Sequence, residues 1–236
     1  MDKLLPWERL LKRIVWLQLG DITGKKILDY GSGLGVTANK YAKNNQVIAI
    51  EPSVESVDNR WKENKYEQIV GSIDELRKLD DESFDMIFCH NVLEYVSDRE
   101  EIVKEFYRLL KPRGILSIVK HNRSGRVMLE MVLHNNFENA NSLLDGTEEI
   151  ISKFGTIHYY KDDDIIKWCD GLSILKVYGI RTFWDLQHNQ EIENDAGWQE
   201  KMIQIEMKVS EIEEYRAIAF FHHLFYIKRV EEKNYE

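Results

Sequence analysis

The feature that most constrains the fold is the alternation of short apolar segments with amphipathic segments between residues 25 and 121. Five of these segments predict buried strands: 25–30, 46–51, 66–72, 83–91 and 114–121. Three segments between them predict helices: 36–45, 53–64 and 98–111. Alternation at this spacing is typical of βαβ units, so we predict an α/β fold with a mainly parallel, Rossmann-like sheet and helices on both faces.

Outside this region the pattern is less regular. Helical periodicity covers 7–19, and the strand–helix alternation lapses between 122 and about 170, where the pattern is mostly helical. Strand character returns at 172–184, a long helix is expected at about 198–215, and 216–230 predicts the last strand. We therefore predict one domain over 1–236, with seven strands, a core at about 22–121 and 172–230, and a helical insertion after strand 5 at about 122–171.

Composition narrows the class of protein. The chain has 236 residues and a net charge of −9, which argues against a protein that coats nucleic acid non-specifically but leaves room for a local basic patch. It has no run of 18 apolar residues and no signal-peptide pattern, so we expect no membrane association. Two distant cysteines, Cys89 and Cys169, favour neither a zinc site nor a disulfide framework. We expect a cytoplasmic protein without a metal.

A glycine-rich turn follows the first predicted strand. Its sequence, LDYGSGLG at 28–35, places Asp29 before Gly31, Gly33 and Gly35. The dinucleotide fingerprint would need a glycine at Val36, and a buried carboxylate at Asp29 would repel a pyrophosphate. A carboxylate there suits a cationic ligand. The methionine part of S-adenosylmethionine (SAM) carries an ammonium and a sulfonium and no phosphate, so we predict SAM as the cofactor.

Three later segments end at the same edge of the predicted sheet. Glu51, followed by Pro52, ends the second strand, where an acidic residue can accept hydrogen bonds from ribose hydroxyls. In GSID we expect Ser72, Ile73 and Asp74 to contact the adenine, and Ser32 completes the glycine turn. His90 and Asn91 follow the fourth strand, at the switch point where ligands of open α/β sheets bind.

These four segments, in this order, resemble class I SAM-dependent methyltransferases over about residues 25–121. A closer resemblance, to the bacterial SmtA/CmoM group of tRNA carboxymethoxyuridine methyltransferases, is carried by FCHNVLEYVSD, GILSIVKHNRSGRVMLEMVLHNNF, YGIRTFWDL and IEMKVSEIEEYRAIAFFHH. The class I resemblance implies that the final strand, 216–230, is an antiparallel seventh strand. The closer resemblance implies that His90 contacts the cofactor together with an arginine from the N-terminal helix. Arg9 is the candidate for this arginine, and Arg13 is the alternative.

Residues 104–126 hold seven Lys and Arg residues against one acid, Glu105. Those on the predicted helix, Lys104, Arg108 and Lys111, fit an ordinary solvated face. The residues past the fifth strand fit contacts to an anionic substrate: Lys120, His121, Arg123 and Arg126. Arg181 is a second cationic candidate, predicted at the rim of the cleft, and Tyr178 beside it is placed to stack on a base.

We therefore predict a SAM-dependent methyltransferase. The resemblance implies a carboxylate of a modified tRNA wobble uridine as the acceptor and the tRNA anticodon region as the partner. A metabolite methyltransferase and a SAM-binding protein without transfer activity are the alternatives. A carboxylate acceptor is already ionised and needs no general base, whereas for an amine or hydroxyl acceptor His90 or His121 would serve as the base. We assign no catalytic residue.

Overall fold

The computed structural model describes residues 4–147, 151–152 and 155–230. The strands in these ranges are β1 (Lys26–Tyr30), β2 (Gln46–Glu51), β3 (Glu67–Val70), β4 (Phe84–His90), β5 (Leu110–His121), β6 (Ile151–Ser152), β7 (Gly155–Thr156), β8 (Leu172–Ile180) and β9 (Phe221–Lys228). The α-helices are α1 (Pro6–Leu19), α2 (Val36–Ala42), α3 (Val54–Asp58), α4 (Ile73–Leu76), α5 (Arg99–Leu109), α6 (Arg123–Val132), α7 (Phe137–Asp145), α8 (Asp164–Trp168), α9 (Ala196–Val209) and α10 (Glu213–Arg216).

Seven strands form one mixed, mostly parallel sheet in the order β3-β2-β1-β4-β5-β9-β8. β1 pairs in parallel with both β2 and β4, and Asp29 stands opposite Ala49 and Phe88 in these pairings. β3 lies beside β2, also in parallel. The order reverses at β1, where the chain passes from β3 across to β4, which is the switch point expected of an open α/β sheet. The predicted fold class is confirmed.

The chain divides into two compact units. The described residues within 1–20, 119–159 and 177–223 form the first unit, and those within 21–118, 160–176 and 224–236 form the second. The predicted insertion at 122–171 is therefore split, because α6 and α7 belong to the first unit and α8 belongs to the second. The parts of the insertion at 148–150 and 153–154 lie outside the described residues.

Each unit has an apolar core. In the first unit, one face of α1 packs with α6, α9 and the 3₁₀ helix at Trp184–Leu186, and the largest side chain buried there is Trp184. In the second unit, β1 and β4 have buried residues on both faces, as expected of parallel strands covered by helices. Ile27, Leu28, Ile87 and Phe88 are fully buried there. This rigid sheet sets the positions of the loops at its carboxyl edge.

Several element boundaries differ from the sequence prediction. The helix expected at 53–64 ends at Asp58, because the chain turns at Asn59 and the N–H of Trp61 then donates to the carbonyl of Leu34. The strand expected from 114 begins at Leu110 directly after α5, and Arg113 takes up the turn with a φ of 63°. Local propensity does not reveal such pairing-dependent boundaries.

The C-terminal elements are also shorter than predicted. The strand expected at 172–184 ends at Ile180, because Arg181 has a φ of 61°, which extended pairing does not tolerate. The helix expected at 198–215 is interrupted after Val209, so that α9 and α10 are separate. The last strand begins at Phe221 rather than at 216, since α10 occupies Glu213–Arg216.

Candidate functional site

The glycine turn connects β1 to α2 at the carboxyl edge of the second unit's sheet. Gly31, Gly33 and Gly35 all have positive φ, at 71°, 55° and 66°. A Cβ on Gly31 would lie 2.3 Å from Val92 Cγ2, and a Cβ on Gly35 would lie 2.2 Å from the hydroxyl of Tyr66, so both positions also need glycine for packing. A Cβ on Gly33 would meet nothing within 4 Å. The turn therefore presents open backbone at Gly33.

Glu51 holds this turn in place. Its Oε2 accepts a hydrogen bond from the Gly33 N–H at 2.7 Å, and its Oε1 accepts one from the Ser53 N–H at 2.9 Å. The carbonyl of Ile50, beside it, accepts from the N–H groups of Gly31 and Ser32. Each carboxylate oxygen of Glu51 retains a further lone pair, so this side chain has the capacity to accept hydrogen bonds from two vicinal hydroxyls.

Asp29 supplies a buried negative charge next to the turn. Its side chain belongs to the core of the sheet, at 3% exposure. Burial raises the pKa of Cys89 well above its usual value, and the charges of Glu94 and Asp29 add to that rise. A carboxylate in this setting favours a cationic ligand group because the surrounding low-dielectric core strengthens the attraction.

The last residue of β4, His90, and the first residue after it, Asn91, add two polar side chains. His90 Nε2 and Ser117 Oγ share a hydrogen bond, 2.9 Å apart, and the His90 ring stacks on Phe88, with ring centroids 5.6 Å apart. Asn91 has a φ of 57°, and among the described residues its Oδ1, like Ser32 Oγ, is buried with no hydrogen-bond partner. Buried polar atoms of this kind require a partner, and a bound polar ligand would supply it. The residues of this edge therefore fit SAM.

The segment predicted to contact adenine follows β3. The Gly71 N–H donates to the carbonyl of Glu51, Ile73 is 8% exposed, and Ser72 is the residue before α4. The Asp74 carboxylate is exposed and forms an ion pair with Arg77, with Nη1 and Oδ1 2.9 Å apart. Pro52 is exposed beside Glu51. The adenine contacts at these residues stay a prediction.

The two arginines proposed from the N-terminal helix both lie in the first unit and differ in their surroundings. Arg13 forms an exposed ion pair with Glu200 at 2.6 Å. Arg9 is half-buried, and its Nε has no hydrogen-bond partner among the described residues. Of the two, Arg9 is the residue with a buried donor still to be satisfied, which favours it as the ligand-binding candidate.

A cluster of cationic side chains forms in the first unit around His121, and we call it the cationic cluster. Its members are Lys120, His121, Arg123, Arg126 and Arg181. Burial, together with the charges of Arg181, Arg126 and Lys120, lowers the pKa of His121 to about 3. This imidazole is therefore neutral at physiological pH and is a weak base.

Arg181 is buried in this cluster and does not lie at a rim as the sequence suggested. It is 7% exposed and forms a bidentate ion pair with Asp185, whose Oδ2 lies 2.9 Å from Nε. Its guanidinium lies 5.2 Å from the ring centroids of both Phe220 and Phe221. Arginine is suited to such a place because its planar cation stacks on rings while keeping its carboxylate partner.

Arg123 and Arg126 extend the cluster along α6. Arg123 lies 5.3 Å from the ring of Tyr159, and Arg126 pairs with the buried Glu130 at 2.8 Å. Lys120 is 4% exposed. Two cations of the cluster have carboxylate partners: Arg126 pairs with Glu130, and Arg181 pairs with Asp185. A group of cationic side chains of this kind suits an anionic ligand.

Tyr178, the remaining predicted substrate contact, lies next to His223 of β9, with ring centroids 6.4 Å apart. His223 is fully buried, its Nδ1 is 2.7 Å from Gln18 Oε1, and burial lowers its pKa to about 3. This histidine is part of the core. The stacking role of Tyr178 stays a prediction.

Three polar residues with clear structural roles escaped sequence reasoning. Glu206, 1% exposed, accepts hydrogen bonds from the backbone N–H groups of Thr182, Phe183 and Trp184 at 2.7 to 3.1 Å. Asp185 pairs with Arg181, a relationship that the i,i+4 spacing could have suggested. Ser117 meets His90 only through strand pairing, for which the sequence carries no local signal.

Within the described ranges, both metal-ligand clusters and membrane-spanning helices are absent. No group of three or more His, Cys, Asp or Glu side chains there converges as metal ligands would. None of the helices in these ranges is long and apolar enough to cross a lipid bilayer.

The chain is similar in sequence to one protein family and to several known methyltransferases. Residues 28–118 match the family described as "Methyltransferase domain". The tRNA 5-carboxymethoxyuridine methyltransferase of Escherichia coli K12 is 24% identical, over 92% of this chain and 87% of that protein. The ubiquinone biosynthesis O-methyltransferase of Pasteurella multocida is 28% identical, over 65% of this chain and 66% of that protein.

A solved structure agrees in fold. A putative S-adenosylmethionine-dependent methyltransferase from Listeria monocytogenes superposes with a TM-score of 0.57 at 14% identity, over 95% of this chain and 97% of that chain. The sheet order, the Asp-led glycine turn and the matched domain agree with one another. Together they support a class I SAM-dependent methyltransferase, with the matched methyltransferase domain covering residues 28–118.

Proposed function

We propose that the protein transfers the methyl group of SAM to a carboxylate on a modified uridine at the wobble position of tRNA. The second unit holds the cofactor in this proposal: Asp29 attracts the cationic methionine part, Glu51 accepts from the ribose hydroxyls, and Ser72, Ile73 and Asp74 meet the adenine. Ser32 and Asn91 offer the buried polar atoms noted above. When bound, SAM supplies a methyl group on an already activated leaving group.

The cationic cluster of the first unit binds the acceptor in this proposal. The observation that carries it is a neutral imidazole, His121, set among Lys120, Arg126 and Arg181. A carboxylate is an ionised oxygen nucleophile, so it needs charge-assisted hydrogen bonds for orientation and no base to remove a proton. The cationic cluster offers donors for such charge-assisted hydrogen bonds. It offers no effective general base at His121, because a histidine with a pKa of about 3 is a poor base.

The role of the chain's residues in methyl transfer is then positional. An in-line displacement is accelerated by holding the nucleophile near the methyl carbon and by excluding water. The Arg181–Asp185 pair and the Arg126–Glu130 pair keep their guanidinium groups at fixed positions, which lowers the cost of ordering them when an anion binds. No protein side chain forms a bond to the methyl group.

The E. coli relative supports the tRNA acceptor because the alignment runs through nearly all of both chains. A second candidate is methylation of a hydroxyl on a small molecule. The match to the ubiquinone biosynthesis O-methyltransferase favours it, at slightly higher identity over a shorter span. The low pKa of His121 speaks against this histidine as the base that a hydroxyl would need, which leaves His90 as the candidate base for that reaction.

The experiment that separates these candidates uses tritiated SAM and an extract of a strain that lacks the gene. If the proposal is right, the label enters the RNA fraction and is released as nucleotides when that fraction is treated with RNase. Mass spectrometry of tRNA nucleosides from the same strain should show the free carboxylate accumulating in place of its methyl ester. Label that survives RNase in a small neutral metabolite would contradict the tRNA acceptor and support the second candidate.

A further inference from the structure

A second cationic feature lies in the second unit, away from the glycine turn. A concavity of about 630 Å³ opens where β1 and β2 begin, and four lysines line it: Lys25, Lys26, Lys43 and Lys111. Because the glycine turn follows the carboxyl end of β1, the concavity and the turn lie at opposite ends of the same strand. We call this feature the lysine concavity.

The charge of the lysine concavity is strongly one-sided. Of the described residues that line it, Asp85 is the single carboxylate. Its Oδ1 lies 3.0 Å from Lys111 Nζ, and its Oδ2 accepts a hydrogen bond from the Lys26 N–H at 2.8 Å. Asp85 therefore offsets one lysine and leaves an excess of three positive charges, in a chain whose net charge is −9.

The wall of the concavity is polar and fixed in place. Asn45 accepts a hydrogen bond from the Lys25 N–H at 3.0 Å and donates to the carbonyls of Ile22 and Tyr41, both at 2.8 Å. Lys26 Nζ lies 4.8 Å from the ring centroid of Phe84. Lys25 and Lys43 are exposed. An apolar ligand gains little from such a wall, whereas a chain of phosphates gains several charge contacts on a preorganised backbone.

We propose that the lysine concavity binds the phosphodiester backbone of an RNA partner, at the end of β1 opposite the glycine turn. That this partner is RNA rests on the proposed function. β1 has five residues, which span about 16 Å, and a stacked nucleic-acid strand carries about five phosphates over that length. A nucleic-acid polymer is long enough to contact the lysine concavity and the glycine turn at opposite ends of β1, whereas a free metabolite is too short.

The test measures RNA binding without methyl transfer. A fluorescent tRNA transcript is titrated with the full chain, in the absence of SAM, at several salt concentrations. The test variant is Lys25→Glu with Lys43→Glu, which leaves the Lys111–Asp85 pair intact. The matched control is Lys161→Glu with Lys176→Glu, which makes the same change of charge at exposed lysines of the same unit, outside the concavity.

We expect the dissociation constant for RNA to rise at least tenfold in the test variant and less than twofold in the control. The slope of log K against log salt should become shallower by about 1.4 to 1.8, which is the loss of two phosphate contacts. A second pair, Lys25→Gln with Lys43→Gln, repeats the test without adding negative charge, should the Glu variant fail to fold.

Equal weakening in test and control, an unchanged salt slope, or wild-type protein that does not bind the transcript would overturn the proposal. Its failure is distinguishable from failure of the proposed function. If RNA binds at the concavity and no methyl group is transferred to it, the acceptor assignment is wrong and the binding surface stands.

Discussion

Arg181 and Asp185 form a bidentate ion pair in which Nε donates to Oδ2 at 2.9 Å and Nη2 donates to Oδ1, with side chains only 8% and 12% exposed. The backbone N–H groups between them are held by Glu206, which accepts from Thr182, Phe183 and Trp184. The positive φ of Arg181 and the three accepted hydrogen bonds fix the short segment 181–185 as one unit. The guanidinium therefore has a defined position before any anion arrives.

The first prediction concerns this pair. Asp185→Asn leaves the buried Arg181 charge without its carboxylate, so we expect a loss of about 3 kcal/mol in the free energy of unfolding. Arg181→Met with Asp185→Leu should lose less than the sum of the corresponding single variants, since neither charge is left alone. Urea titrations of the four proteins of the Arg181→Met and Asp185→Leu cycle give the coupling. Additive single effects would show that the pair does not act as a unit.

The second prediction concerns Asp29. Asp29→Asn keeps the shape of this buried side chain and removes its charge, so we expect the affinity for SAM to fall at least tenfold by calorimetry. Asp80→Asn, at an exposed position of the same unit, is the control and should leave SAM binding within twofold. Unchanged affinity in Asp29→Asn would remove Asp29 from the cofactor site.

The third prediction uses two glycines with the same local constraints. Gly33 and Gly24 have φ values of 55° and 67°, and a Cβ on either would meet nothing within 4 Å. Gly33→Ala and Gly24→Ala should therefore cost similar stability, about 1 kcal/mol each. Only Gly33→Ala should weaken SAM binding, by tenfold or more, because the backbone at Gly33 faces the expected ligand. Equal SAM affinities in the two variants would be inconsistent with a cofactor at this turn.

The fourth prediction is a pH dependence of stability. His121 and His223 have a pKa of about 3 in the folded chain and about 6.5 when unfolded, so the unfolded chain binds more protons between these values. Above pH 6.5 both histidines are mostly neutral in the folded and the unfolded chain, so they do not lower the free energy of unfolding. As the pH drops towards 3, that free energy falls because only the unfolded chain takes up the protons. We expect each of the two histidines to lower the free energy of unfolding by about 2 kcal/mol at pH 5 relative to pH 7.

Urea titrations between pH 7 and pH 5 check this. His223→Asn should reduce the loss by about half, and His188→Asn, at an exposed position, should leave it unchanged. If the free energy of unfolding falls equally in wild type and in His223→Asn, groups other than His223 dominate the loss of stability at low pH.

The fold can be predicted from the sequence where an element is specified by neighbouring residues. β2 matches its predicted range, 46–51, because a continuous apolar run between polar residues specifies a buried strand. The glycine turn and Glu51 were also identified from spacing, and the structure joins them by the Gly33–Glu51 hydrogen bond. Both ends of that bond lie on one βαβ unit.

Features that depend on distant parts of the chain were not predictable in the same way. The burial of Arg181 depends on Phe220, Phe221 and Trp7, which are far from it in sequence. Glu206 lies on α9 and accepts hydrogen bonds from the backbone of 182–184, which is more than 20 residues away in the sequence. The break between α9 and α10 follows the Gly179 N–H bond to the carbonyl of Ser210, a contact without a local sequence signal.

The central claim, methyl transfer to a carboxylate of tRNA, is tested most directly by the alkali stability of the product. Purified protein is incubated with tritiated SAM and tRNA from the gene-deletion strain, and the tRNA is digested to nucleosides and treated with mild base. A methyl ester releases its label as volatile methanol, whereas a methyl ether or a methylated base retains it. We predict label in a single uridine derivative that is lost in base. Label that stays with the nucleoside, or that never enters tRNA, would contradict the account.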